Sequence, residues 1–201
     1  MLETYSRMRR FSKASRGAAP GARRVLCLVL AGCASVLLCS SRTLGENAAA
    51  REAAIKAAYL FNFVKFVDWP AQALPENSPT ITIGVLGEDP LAAALSPLNG
   101  KSVRGKTLIV RRYSDTAALG NVQILFIGAS ERARVGQDLR SLRNSNILTV
   151  GGMAGFVQSG GMINFTSESN HVRFEVNPAA AERAGLRVSS QLLKVGRIVR
   201  A

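Results

Sequence analysis

The stretch Gly160–Val199 reads GGMINFTSESNHVRFEVNPAAAERAGLRVSSQLLKVGRIV and carries the clearest structural signals of the chain. Two short strands, Met162–Thr166 and His171–Val176, flank the polar turn Ser167–Asn170. Apolar and polar residues alternate along the second strand, which is typical of a strand with one buried face. The stretch therefore begins with a predicted antiparallel β-hairpin.

Two helices are predicted after the hairpin. Asn177 followed by Pro178 is a strong helix start, because asparagine caps a helix and proline suits its first position. Gly185 ends this helix after about two turns. Ser189 is placed to cap the second helix. That helix is expected to bury an apolar stripe made of Val188, Leu192, Val195 and Val199.

Apolar strands and helical segments alternate upstream of this stretch. The predicted strands are Ile81–Leu86, Thr107–Arg112, Val122–Ile127 and Ile147–Val150. The predicted helices between them are Leu91–Leu98, after Asp89 and Pro90, and Ser130–Arg143. Such alternation favours a parallel sheet. The sequence thus predicts an α/β fold, with a largely parallel sheet flanked by helices and a C-terminal β-hairpin followed by two helices.

A helix rich in aromatic residues is predicted over Ala48–Trp69, where Pro70 ends it. Its two apolar stripes consist of Ala54, Ala58 and Phe61, and of Ile55, Tyr59, Phe63 and Phe66. The aromatic side chains suit a hydrophobic core. The alternative is a partly open aromatic surface for a partner or a small ligand, formed by Tyr59, Phe63, Phe66 and Trp69.

Residues 1–45 have the composition of an export leader, and residues 46–201 form one predicted domain. Basic residues dominate Met1–Arg24, and the apolar run Val25–Leu38 is shorter than the ~20 residues of a membrane-spanning helix. Leu30–Cys33 fits a lipobox, in which Cys33 would be lipidated. The alternative is ordinary cleavage, for example after Gly45 or Ala50. Export is expected either way, with membrane contact only if Cys33 is lipidated.

The leader also accounts for much of the net charge of +13. Of the 26 basic and 13 acidic residues, 8 and 1 lie in residues 1–45. The charges that remain alternate in sign without a basic run, which argues against nucleic-acid binding. All three cysteines lie in the leader, and His171 is the only histidine, so the usual zinc sites are excluded.

Catalytic and cofactor signals are weak in residues 46–201. The glycines near Gly84 and Gly100 lack the spacing of nucleotide-binding loops, so no cofactor is expected. The paired glycines around Phe156 follow a predicted strand, where they serve either packing or a ligand site. We therefore predict that the protein is not an enzyme. If it were one, we would expect one of these residues to be essential: Ser130, Glu131, Glu175 or His171.

Binding is the remaining class of function, and the polar face of the second hairpin strand is its best candidate. Glu175 and Arg187 are expected to pair across the short helix that follows. The pair either supports the fold or lies in a protein contact, where it would set specificity. The predicted partner-binding residues are Arg173, Glu175, Asn177, Ala181, Leu186 and Arg187.

Three segments resemble the YfiR family: AAYLFNFVKFVDWP at residues 57–70, GNVQILFIGASE at 120–131 and FEVNPAAAERAGLRVSSQLL at 174–193. The resemblance implies an exported, often dimeric α/β protein that restrains a membrane diguanylate cyclase or related sensor enzyme through its periplasmic domain. It also implies that Glu175 and Arg187 matter for restraint. The structural cysteines of the best-known type of member are missing after the leader, so disulfide control is not expected here.

Two hypotheses for function follow. The first is a non-enzymatic regulator that represses a membrane signalling enzyme, a diguanylate cyclase or a sensor kinase, with a homodimer as its expected state. The second is a periplasmic receptor that binds a small molecule and feeds a transporter. A receptor needs a small ligand and a repressor needs a protein, so a panel of metabolites separates the two.

Overall fold

A sheet of eight strands forms the centre of the structure. The computed structural model describes residues 47–169 and 171–200, which belong to one compact unit. The predicted leader and Cys33 lie outside the described residues, and the predicted boundary between residues 45 and 46 does too. Within the described ranges, no helix combines the length and the apolar character needed to cross a membrane.

Ten strands and five α-helices make up the described chain. The strands are β1 Val67–Asp68, β2 Thr80–Leu86, β3 Ser102–Val103, β4 Lys106–Tyr113, β5 Ile124–Ile127, β6 Leu148–Gly151, β7 Ile163–Glu168, β8 His171–Val176, β9 Arg187–Val188 and β10 Arg197–Ile198. The α-helices are α1 at residues 47–66, α2 Leu91–Leu95, α3 Val135–Ser141, α4 Pro178–Arg183 and α5 Ser190–Val195. Short 3-10 turns span Ser96–Leu98, Thr116–Ala118 and Ala129–Glu131.

The strand order of the large sheet is β10-β8-β7-β6-β5-β2-β4-β3. Five neighbouring strands of this sheet are mutually parallel, namely β7, β6, β5, β2 and β4. β8 runs antiparallel to β7, and β3 runs antiparallel to β4. One hydrophobic cluster joins α1, α2, α4 and α5 to one face of the sheet, and a second cluster lies with α3 on the other. The predicted α/β class and the largely parallel sheet are confirmed.

The C-terminal stretch follows the prediction closely, except at its end. The Asn177 side chain accepts a hydrogen bond from Ala180 N and caps α4, and Ser189 caps α5 in the same way. However, α5 ends at Val195, so the predicted stripe to Val199 is wrong. Residues 197–198 form β10 instead, which lies parallel to β8. Pairing with β8 satisfies backbone groups that a longer helix would have left at the sheet edge.

The first helix is rotated relative to the prediction. Its buried face consists of Ala53, Ala57, Leu60 and Val64, whereas the predicted positions Ala54 and Ala58 are exposed. A shift of one residue corresponds to about 100° around a helix. The helix also ends at residue 66, because Val67–Asp68 pairs with Arg187–Val188 as the small β1–β9 sheet. The predicted helix Ser130–Arg143 is likewise divided into a 3-10 turn and α3.

An aromatic cluster joins α1 to the hairpin β7–β8. Phe63 is fully buried, and its ring centre lies 6.0 Å from that of Phe165 and 5.3 Å from that of Phe174. Tyr59 contacts the same two rings at 6.0 and 5.3 Å. Edge-to-face and offset contacts at such distances stabilise aromatic pairs. The cluster therefore fixes the position of α1 on the sheet.

Two of the paired glycines around Phe156 serve close packing. Phe156 is fully buried, and a Cβ atom at Gly151 would lie 2.6–2.8 Å from three atoms of its ring. Gly161 faces the same ring at even closer range. Of the two roles that the sequence left open for the paired glycines, these contacts favour packing at Gly151 and Gly161.

Gly151→Ala should therefore destabilise the protein. The added methyl group overlaps a ring in a closely packed site, and such overpacking typically costs about 1–3 kcal/mol. Chemical denaturation followed by circular dichroism measures this loss. Gly120→Ala is the matched control, since nothing lies within 4 Å of a Cβ at that position. Equal midpoints for the two variants would contradict the packing role.

Candidate functional site

The structure buries four of the six predicted partner-binding residues, Glu175 among them. Asn177, Ala181 and Leu186 have no exposed surface, so their side chains cannot touch a partner of the folded domain. Asn177 caps α4, and the other two side chains belong to the hydrophobic core. Their assignment to a contact surface was wrong. The helix start is correct, but the alternation of exposed and buried residues along β8 ends at Arg173, because Glu175 and Asn177 are also buried.

Glu175 pairs with Arg197, and the predicted pair with Arg187 is not formed. Glu175 on β8 and Arg197 on β10 are directly paired positions, and the guanidinium donates to the carboxylate. Glu175 is only 8% exposed. Arg187 is exposed on β9, where it lies opposite Asp68 of β1. The Glu175 carboxylate therefore anchors the edge strand β10 to the sheet.

A broad groove between α1 and β8 contains the remaining predicted strand residue, Arg173. We call it the α1–β8 groove. It encloses about 820 Å³. The residues that line it are Asn47, Ala48, Arg51, Glu52, Ile55, Tyr59, Ser167, His171, Val172 and Arg173.

The lining of the α1–β8 groove is amphipathic. Ile55 is 39% exposed, and the partly buried ring of Tyr59 supplies a rigid aromatic surface next to it. Arg173 is exposed, while Glu52 is engaged by Lys56 at 2.6 Å. The His171 ring contacts the Ser169 carbonyl at 2.8 Å through Nδ1. Apolar surface bordered by cations suits binding of an extended or helical protein segment.

The other residues of the predicted aromatic surface belong mainly to the core. Phe63 is fully buried, and Trp69 is 9% exposed with its indole Nε1 donating to the Gln123 carbonyl at 3.1 Å. Phe66 is half-buried and packs against the hydrophobic cluster that contains Phe63 and Trp69. Only Tyr59 reaches the groove. The aromatic pattern could not separate these roles, because all four residues lie close together in the sequence, near the end of one helix or just after it.

The crevice between the carboxyl ends of β2 and β5 is where sheets of this class usually bind ligands. Here the chain itself occupies that crevice. Ser130 Oγ accepts from Glu88 N at 2.9 Å and donates to Glu131 Oε1 at 3.2 Å. Arg134 donates to the Glu131 carboxylate at 3.2 Å through Nε, which raises the pKa of Arg134. Ser130 and Glu131 thus have structural partners, and His171 lies three strands away along the sheet.

Asp138 lies on α3 near this crevice. It is 8% exposed, and its Oδ2 atom has no hydrogen-bond partner among the described residues. Burial raises the pKa of Asp138, with Arg134 opposing the shift. Because this pKa is raised in the folded state, Asp138 adds to the free energy of unfolding at low pH, and this contribution is lost as the pH rises through the folded-state pKa.

No group of three potential metal ligands occurs in the described ranges.

Comparison with known proteins gives a family match and similarity to solved structures. The sequence model of a family described as YfiR/HmsC-like matches residues 53–197. Among curated proteins, none matches the chain. The crystal structure of a conserved domain protein from Vibrio cholerae O1 biovar eltor str. N16961 is similar, with 11% identity and a TM-score of 0.45. That similarity covers 64% of this chain and 56% of the Vibrio chain, so the match spans little more than half of the latter.

Proposed function

The chain belongs to the YfiR/HmsC-like family, and on this premise we propose that it is an exported regulator that represses a membrane signalling enzyme. The family match supports a periplasmic regulator of signalling enzymes rather than an enzyme. The proposed target is the periplasmic domain of a diguanylate cyclase or a sensor kinase. The observation that carries the proposal is the family match over residues 53–197.

Two features of the described residues support a role in binding. The α1–β8 groove offers the apolar Ile55 and Tyr59 beside the exposed Arg173. Of the four residues that the sequence named as candidates for an enzyme, Ser130 and Glu131 are hydrogen-bonded to their neighbours. We place the partner contact in this groove, which replaces the larger surface predicted from the sequence.

The location and assembly of the protein are part of the same proposal. We expect a periplasmic protein, anchored to the membrane only if Cys33 is lipidated. We also expect a homodimer, as the resemblance implies. Mass spectrometry of the processed chain and sedimentation of the purified protein measure these two properties.

Arg173→Glu should weaken the partner contact by about tenfold or more, because the substitution reverses a charge at the edge of the groove. Charges in such positions act on association rates and specificity. A pull-down of the partner enzyme from membranes, with the protein as bait, measures the loss. The free energy of unfolding should change by no more than about 0.5 kcal/mol, as for most exposed positions.

Arg111→Glu is the matched control, since Arg111 is an exposed arginine on β4, away from the groove. It should retain the partner at the level of the unmodified protein. Equal retention by both variants would remove the groove from the proposal. Unchanged signalling by the membrane enzyme in a strain that lacks this protein would remove the regulatory function itself.

A further inference from the structure

A small cleft lies where α3, α4 and the loop before β7 meet, well apart from the α1–β8 groove in sequence and lined by none of the same residues. We call it the arginine cleft. Three arginines, Arg140, Arg143 and Arg183, contribute to its walls. The other lining residues are Leu139, Leu142, Thr149, Ser159, Gly160, Met162 and Ala180.

The floor of the arginine cleft is apolar and rigid. Leu139, Leu142, Met162 and Ala180 are each at most 6% exposed. The cleft has a volume of about 50 Å³. A cavity needs roughly 10–15 Å³ to hold one water molecule, so the cleft suits a group of a few heavy atoms, such as a tetrahedral oxyanion. A nucleoside would not fit within it.

Positive charge in the cleft is not neutralised by the part of the chain described here. No carboxylate of the described residues lies within 4.0 Å of Arg140, Arg143 or Arg183, and no acid lines the cleft. Arg140 lies on α3 and Arg143 lies three residues later in the turn after it, whereas Arg183 comes from α4. Like charges brought together from two helices repel one another, and a bound anion would offset this repulsion.

One hydroxyl group adds a hydrogen-bond donor to the cleft. Thr149 Oγ1 accepts a hydrogen bond from Met162 N at 3.2 Å, so its own hydrogen is available as a donor. Ser159 Oγ lies in the same lining but donates its hydrogen to the Gly155 carbonyl at 2.9 Å, so it adds no donor for an anion. Planar guanidinium groups match the oxygen atoms of phosphate in paired hydrogen bonds.

We propose that the arginine cleft is a binding site for a phosphate-sized oxyanion, which is either inorganic phosphate or the terminal phosphate of a small ester. The site is separate from the partner contact, so it goes beyond the regulatory function and does not depend on it. An anion that bridges α3 and α4 would stabilise the folded protein, and the stabilisation would grow with the logarithm of the free anion concentration once this exceeds Kd. The small volume disfavours a phosphodiester in a bilayer surface, which cannot enter a recessed cleft.

Calorimetric titration of the full-length protein with inorganic phosphate, at constant ionic strength, tests the proposal. Saturable binding with 1:1 stoichiometry is expected. Arg140→Gln and Arg183→Gln should each weaken binding by about tenfold or more, since each removes a charge-assisted hydrogen-bond donor. Arg111→Gln is the matched control and should bind phosphate like the unmodified protein. The circular dichroism of all variants should be unchanged, because these arginines are exposed.

Either of two results would overturn the proposal. The first is the absence of saturable phosphate binding by the unmodified protein, which does not depend on any variant being folded. The second is equal binding by the cleft variants and the Arg111→Gln control. Glycerol phosphate and phosphatidylglycerol vesicles distinguish the source of the anion. Binding of glycerol phosphate supports the site, whereas binding of vesicles without inorganic phosphate binding contradicts it.

Discussion

Phe63→Ala is expected to lower the free energy of unfolding by about 3–5 kcal/mol, which is typical for removal of a fully buried phenylalanine. The ring of Phe63 contacts Phe165 and Phe174 of the hairpin as well as Tyr59 one turn earlier. All of these neighbours are held by the sheet or by α1, so they cannot collapse into the cavity. Urea denaturation followed by circular dichroism measures the change.

Phe66→Ala is the matched control for this prediction. Phe66 lies on the same helix and carries the same side chain, but it is half-buried at the edge of the cluster. We therefore expect a clearly smaller loss of stability. A Phe63→Ala variant with an unchanged denaturation midpoint but altered ligand or partner binding would contradict the core assignment. It would support the aromatic surface that the sequence left open.

Local signals in the sequence predicted most of the sheet. The runs that became β2, β5 and β6 are continuous and apolar, and such runs mark strands buried on both faces. The capping residues Asn177 and Ser189 were also correct, because a cap acts within three residues of itself. Features that depend on a few neighbouring residues can therefore be predicted from the sequence of this protein.

The rotation of α1 could not be predicted in the same way. Alanines and large apolar residues surround the helix almost completely, so two or three faces have similar apolar content. The sheet decides which face is buried, because Phe63 packs against Phe165 and Phe174 whereas Ala54 is left exposed. The small β1–β9 sheet was missed for a related reason, since two-residue strands have no period to detect.

The candidate sites depend even more on tertiary contacts. Alternation along β8 correctly left Arg173 exposed, but nothing local showed that Ile55 and Tyr59 would lie beside it. The arginine cleft combines Arg140 with Arg183, which are more than forty positions apart in the sequence. A cluster of this kind appears only when α3 and α4 are placed in space.

Glu175→Lys is expected to lower the free energy of unfolding by about 3 kcal/mol, toward the lower end of the range for breaking a buried ion pair. The lower end applies because Glu175 is buried, whereas its partner Arg197 is largely exposed to solvent. The lysine would face a second cation at a paired position of β8 and β10. We therefore expect β10 to detach first. Hydrogen exchange at residues 197–199 measures this detachment, and urea denaturation measures the global change.

The reversed pair Glu175→Lys with Arg197→Glu should recover part of the lost stability, because it restores opposite charges across the two strands. Glu182→Lys is the matched control at an exposed glutamate of α4, and it should change stability by no more than about 0.5 kcal/mol. Partner retention by Glu175→Lys must be measured below its unfolding temperature. If retention is lost there while the urea midpoint is unchanged, Glu175 acts in the contact itself. If both fall together and the reversed pair restores both, Glu175 supports regulation only by holding β10 in the sheet.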